Sequence, residues 1–146
     1  DKEICYGCGE CVATCQFGAI SSTLEGTSKG LQEKMAEYTL GVLKEKEGKT
    51  LFFNFLTHIS QGCDCYNEAQ DKEIDDIGIL CSHDPVAIDM AAVDLVNEST
   101  GRDFFSEIWD EPMEYMTQIE HAEKMGLGSK EYKLLKLGVP EPGVEA

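Results

Sequence analysis

Ile77-Gly78-Ile79-Leu80-Cys81-Ser82-His83-Asp84-Pro85-Val86-Ala87-Ile88-Asp89-Met90 changes character halfway along. Ile77 to Leu80 is a short apolar run and reads as a buried strand. Asp84 and Pro85 then have the grammar of a helix start, an N-cap acid followed by proline at the first helical position. The helix extends to about Asn97. Successive residues turn by about 100°, which sets Asp89 between Val93 and Val96, in the apolar arc that also holds Val86 and Met90. An acid on that face either accepts hydrogen bonds, for instance from backbone amides of a neighbouring loop, or takes part in chemistry. Asp84 is most simply a cap, and Asp94 falls on the polar side.

Upstream, Leu51 to Leu56 (LFFNFL) reads as another buried strand, with Phe52, Phe53 and Phe55 in the core. Leu31, Met35, Tyr38 and Val42 recur at helical spacing, which predicts a helix over 31–46 stopped by Gly48. Residues 57–75 form a long loop, long enough for a crossover between parallel strands. Downstream, Asp110 and Pro112 start a helix that Gly126 ends, and Ser129 caps a last short helix through Leu137. Met113, Met116 and Met125 fill core gaps, and His58 and His121 read as ordinary residues. The expected fold class is α/β or α+β, with a short parallel sheet and several helices. Residues 1–27 would be a ferredoxin-like cluster-binding segment, 28–139 the α/β domain and 140–146 a loose tail.

Acidic residues number 28 against 12 basic, a formal charge of -16, while 42% of the residues are hydrophobic. That composition suits a soluble globular protein, and the charge excludes nucleic acid, which binds through Lys and Arg on phosphates. An acidic electron carrier can be steered to a basic partner. No apolar run is long enough to span a bilayer, and no secretory signal is seen. The chain starts abruptly, with Cys5 close behind Asp1, as an excised or processed form would. Seven cysteines without a secretory signal favour a reducing compartment, the cytoplasm by default.

Cys5, Cys8, Cys11 and Cys15 give C-x2-C-x2-C-x3-C. A cubane iron–sulfur cluster needs soft thiolates converging on one compact core, and this spacing lets one tight loop supply them. Gly7 and Gly9 permit unusual backbone angles and leave amides for the sulfurs. Zinc sites more often use ligand pairs separated by a longer insert. The expected cofactor is therefore a [4Fe–4S] cluster. Cys15 either completes it or serves a cluster whose other ligands lie upstream. If the two strands were parallel neighbours, Cys63 and Cys65 would meet Cys81 and His83 at one sheet edge as a second metal or redox site, near Asp84 and Asp89. Otherwise Cys81 is a small buried hydrophobe.

The stretch from Cys5 to Ile20 resembles one half of a bacterial two-cluster ferredoxin, with Gln16 where that family places proline. The phrases Cys5-Tyr6-Gly7-Cys8-Gly9-Glu10-Cys11, Glu37-Tyr38, Phe53-Asn54-Phe55-Leu56, Cys63-Asp64-Cys65, Asp76-Ile77-Gly78-Ile79-Leu80 and Asp84-Pro85-Val86-Ala87-Ile88-Asp89 follow in order. Together they resemble the C-terminal part of the bacterial and archaeal family called domain of unknown function 362. The likeness reaches about Tyr132 and departs at Cys81, where a small residue such as alanine is expected. It implies an iron–sulfur centre and further sequence upstream, and supplies no reaction. Three functions are compatible with these residues. The chain is an electron-transfer protein acting on a redox partner or on the upstream part of the same protein, a redox enzyme with a second site around Cys63, Cys65 and the Asp84 helix, or a binding module stapled by its cluster.

Overall fold

The computed structural model describes residues 11, 14–17, 19–20, 27–62, 70–108 and 114–138. In chain order the elements are α1 (Thr27–Leu43), β1 (Phe52–Leu56), β2 (Gly78–Ser82), α2 (Pro85–Thr100), α3 (Phe104–Glu107) and α4 (Met116–Lys124). The architecture is mixed α/β, a two-stranded sheet with α2 against one face.

The sheet is antiparallel, which corrects the parallel arrangement expected from the long connection. Phe52 pairs with Ser82, Phe53 with Cys81, Asn54 with Leu80, Phe55 with Ile79 and Leu56 with Gly78. The connection turns back on itself. Ile77 N donates to Leu56 O at 2.9 Å and Glu73 N to Ile59 O at 2.8 Å, so its two arms continue the hairpin past the strands. Asp76 Oδ1 accepts from His58 N at 3.0 Å, at a residue held at φ 49°. Successive strand residues face opposite ways. Phe52, Asn54 and Leu56 therefore turn towards α2, while Phe53 and Phe55 stand 53% and 64% exposed and do not belong to the core. Ile79 and Cys81 share their outer face, opposite them in the ladder.

Helix α1 starts and ends earlier than its apolar spacing predicts, and buries a different face. Leu31, Met35, Tyr38 and Val42 are all exposed, and Ala36 is the buried position. A methyl group allows α1 to come close to α4, its main neighbour. Gln32 ties the pair together: its Nε2 donates to Glu114 O at 2.9 Å and its Oε1 accepts from Gln118 N at 3.2 Å. These bonds occupy backbone groups at the start of α4, where helical partners are lacking.

Helix α2 forms as its sequence dictates. Asp84 sits in extended backbone, and its Oδ1 accepts from Val86 N and Ala87 N at 2.8 and 2.9 Å. Gly101 closes the helix at φ 67°, a left-handed position that favours glycine, and its N–H donates to Asn97 O. Val86 and Val93 of α2 meet Ile119 of α4 in the central cluster, flanked by Met90, Phe105, Met116 and Leu127. Phe104, only 1% exposed, is the largest fully buried side chain. It sits in α3, a turn that the sequence reading omits, which begins where Asn97 Oδ1 accepts from Phe104 N at 2.9 Å. Arg102 lies over the Phe104 ring, 5.5 Å from its centroid.

The helix expected over 110–126 is represented by α4, with Gly126 at φ 80° ending it; residues 109–113 lie outside the described residues, as does the tail at 140–146. No helix forms over Ser129–Leu137. Three acids accept hydrogen bonds from that segment instead. Asp84 Oδ2 accepts from Ser129 N at 2.9 Å, Glu123 Oε1 from Lys130 N at 2.8 Å, and Asp94 Oδ2 from the Tyr132 hydroxyl at 2.7 Å. Burial, with Asp94 next, pushes the Tyr132 hydroxyl up to about 12.

Truncation of Phe104 to alanine should cost about 3–5 kcal/mol in urea unfolding, whereas Phe55→Ser, on the outer sheet face, should stay within about 1 kcal/mol. Equal losses would contradict this core. Gly128 passes so close to Asp84 that a Cβ there would overlap its carboxylate. Gly128→Ala should therefore cost about 1–3 kcal/mol, and the same substitution at Gly30, which faces open space, much less.

Candidate functional site

Of the cluster cysteines, Cys5 and Cys8 lie outside the described residues, as do Cys63 and Cys65. Cys11 is exposed in helical backbone and Cys15 follows it, half-buried. Neither thiol is in a disulfide.

Cys81 is exposed, not buried, on the outer face of β2. His83 is also exposed, and its Nδ1 lies 2.7 Å from Thr50 O. A carbonyl can only accept, so Nδ1 carries a proton in this contact. Antiparallel pairing sets Cys81 and His83 at the end of the sheet where Phe52 meets Ser82; the 57–77 connection leaves from the other end, at Leu56 and Gly78. The parallel arrangement on which a shared sheet-edge site was expected is therefore absent. Among the described residues, no three His, Cys, Asp or Glu side chains come together as a metal site.

Asp84 spends both carboxylate oxygens on backbone N–H groups, three in all, and acts as a structural clamp. Asp89 is different. It is partly buried on the inner face of α2, and its Oδ1 accepts from Asn54 Nδ2 at 2.8 Å. No Lys, Arg or His among the described residues pairs with it. Burial raises its pKa from the ordinary aspartate value, with the Asn54 bond opposing. The partner proves to be a side chain from β1, not the backbone amides of a loop. Asn54 was overlooked as a site residue, and the signal was its position: within Phe52-Phe53-Asn54-Phe55-Leu56 it shares the inward parity of Phe52 and Leu56. Beside Asp89 is a cavity of about 50 Å3 between α1, α2 and α4, whose polar wall residues are Thr39, Asp89 and Gln118.

Because the folded pKa of Asp89 lies above its unfolded value, its protonated form favours folding, and that contribution fades as pH rises through the folded pKa. Asp89→Asn keeps the shape and removes the titration. The stability of the wild type relative to Asp89→Asn should fall as pH climbs from the unfolded value of about 4 towards neutrality; a pH-independent difference in urea midpoints would contradict this.

One family model, DUF362, described as a domain of unknown function, matches residues 2–94, from the cysteine motif into the second half of α2. No curated protein and no solved structure matches the chain.

Proposed function

This chain belongs to the DUF362 family, and we propose that it is an iron–sulfur protein that transfers electrons through a [4Fe–4S] cluster held by Cys5, Cys8, Cys11 and Cys15. The observation that carries the reading is the C-x2-C-x2-C-x3-C spacing. Cys11 is exposed and Cys15 half-buried. When bound, such a cluster supplies one-electron chemistry at a potential set by its environment. The chain contributes the thiolates, and Gly7 and Gly9 permit a tight approach of backbone amides to sulfur. The electrons pass to a redox protein or to the upstream part of the same protein, in a reducing compartment such as the cytoplasm. With 28 acids against 12 basic residues, long-range attraction favours a basic partner. Among the described residues no helix is long and apolar enough to cross a membrane. The antiparallel sheet lends no support to a second metal site joining Cys81 and His83 to the 57–75 loop.

Anaerobic purification with iron and sulfide analysis tests the proposal. About four of each per chain are expected, with an EPR signal after dithionite reduction. Both should be lost in Cys5→Ala and Cys11→Ala and kept in Cys81→Ala. Zinc in place of iron, or no metal after anaerobic reconstitution, would overturn the proposal.

A further inference from the structure

Asp89 poses an electrostatic problem that the cluster reading leaves untouched. Asp89 is half-buried, and a carboxylate partly withdrawn from water gains from a neighbouring cation. Asp89 has one hydrogen bond, from the neutral amide of Asn54, and no cationic partner among the described residues.

The cavity beside it has an acceptor-rich polar wall. The Thr39 hydroxyl spends its proton on Met35 O, at 2.8 Å, so its oxygen is left to accept. Gln118 also lines the cavity, with its backbone N–H donating to Gln32 Oε1, and a side-chain amide can offer its carbonyl oxygen as an acceptor. Ala36, Pro85, Val86, Ile119, Ala122 and Leu127 complete the wall and offer no side-chain polar atom. At about 50 Å3 the space exceeds the roughly 10–15 Å3 that one water needs. It is too small for an organic substrate of ordinary size, which takes about 300 Å3 or more.

Several guests fail on chemistry. Calcium takes about six to eight oxygens and magnesium keeps a shell of waters, more than three polar side chains and this volume provide. Zinc and copper favour thiolate or imidazole ligands, which this wall lacks. An anion would face the Asp89 carboxylate. Water satisfies hydrogen bonds but leaves the charge uncompensated. Ammonium is close to water in size, carries the missing charge and has four N–H donors for carboxylate, hydroxyl and carbonyl oxygens. Potassium has similar dimensions and is commonly bound by oxygen dipoles.

We propose that the cavity between α1, α2 and α4 binds a small monovalent cation of ammonium or potassium size, held by the Asp89 carboxylate, the Thr39 hydroxyl oxygen and the Gln118 carbonyl oxygen. Bound there, the cation adds a link among three helices, and a ligand that binds only the folded chain raises its stability.

The test is thermal unfolding of the full chain at mildly alkaline pH, in ammonium, potassium, sodium and choline chlorides at equal ionic strength. Ammonium or potassium should raise Tm by about 2–4 °C over choline, and the comparison between them identifies the better guest. Asp89→Asn should abolish the difference between salts. Thr39→Val, which removes the hydroxyl from a residue at the surface of α1, should fold normally and shift the dependence to higher cation concentration. Equal Tm in all four salts, an equal rise in sodium, or a rise that survives Asp89→Asn would each overturn the proposal.

Discussion

The Asp84 carboxylate joins the start of α2 to the segment that follows α4. One oxygen takes the first free N–H groups of α2, at Val86 and Ala87; the other takes Ser129 N, from the segment that follows α4. A charge-assisted bond of this kind is about twice as strong as a neutral one. It fixes both the start of the central helix and the return of the chain after α4. Gly128 is the matching constraint, since only a residue without a Cβ allows that return to come so close. With α2 anchored at Asp84 and ended at Gly101, the apolar face of Val86 and Val93 has a defined position, and α4 packs against it through Ile119.

Around this centre the chain distributes its apolar residues unevenly. The core depends on α2, α3 and α4, with Phe104 and Val96 fully buried. The two elements with the most obvious apolar patterns, α1 and the sheet, each turn much of that pattern outward. On α1 the buried position is a methyl group, and on the sheet the outward rows are Phe53 and Phe55 beside Ile79 and Cys81. Parity explains the second case: in an alternating strand a side chain that faces α2 commits its neighbours to the other side. Asn54 faces α2, so both flanking phenylalanines face away.

That parity also creates the polar contact in the interior. Asn54 reaches Asp89 across the space between β1 and α2, and the bond holds a carboxylate over the cavity shared with Thr39 and Gln118. The cysteine motif and this cavity are separate parts of the chain: the first sets four cysteines close together in sequence, the second gathers residues from three helices beside a strand.

What the sequence determined by itself was local. The Asp84-Pro85 start of α2, the existence of both strands and the cysteine spacing all depend on residues within a few positions of one another, where capping, alternation and ligand geometry operate directly. Asp89 was also visible, as an acid among valines on a helical face. The tertiary structure decided the rest, because each remaining question concerned partners distant in the chain. Strand direction followed from the connection folding back on itself, through the Ile77–Leu56 and Glu73–Ile59 backbone bonds. The buried face of α1 followed from how closely α4 could approach Ala36. No helix formed over 129–137, where carboxylates from α2 and α4, and from the Asp84 cap, captured the N–H groups of Ser129 and Lys130 and the Tyr132 hydroxyl. Periodicity records which residues could share a face; only packing selects the face that is covered.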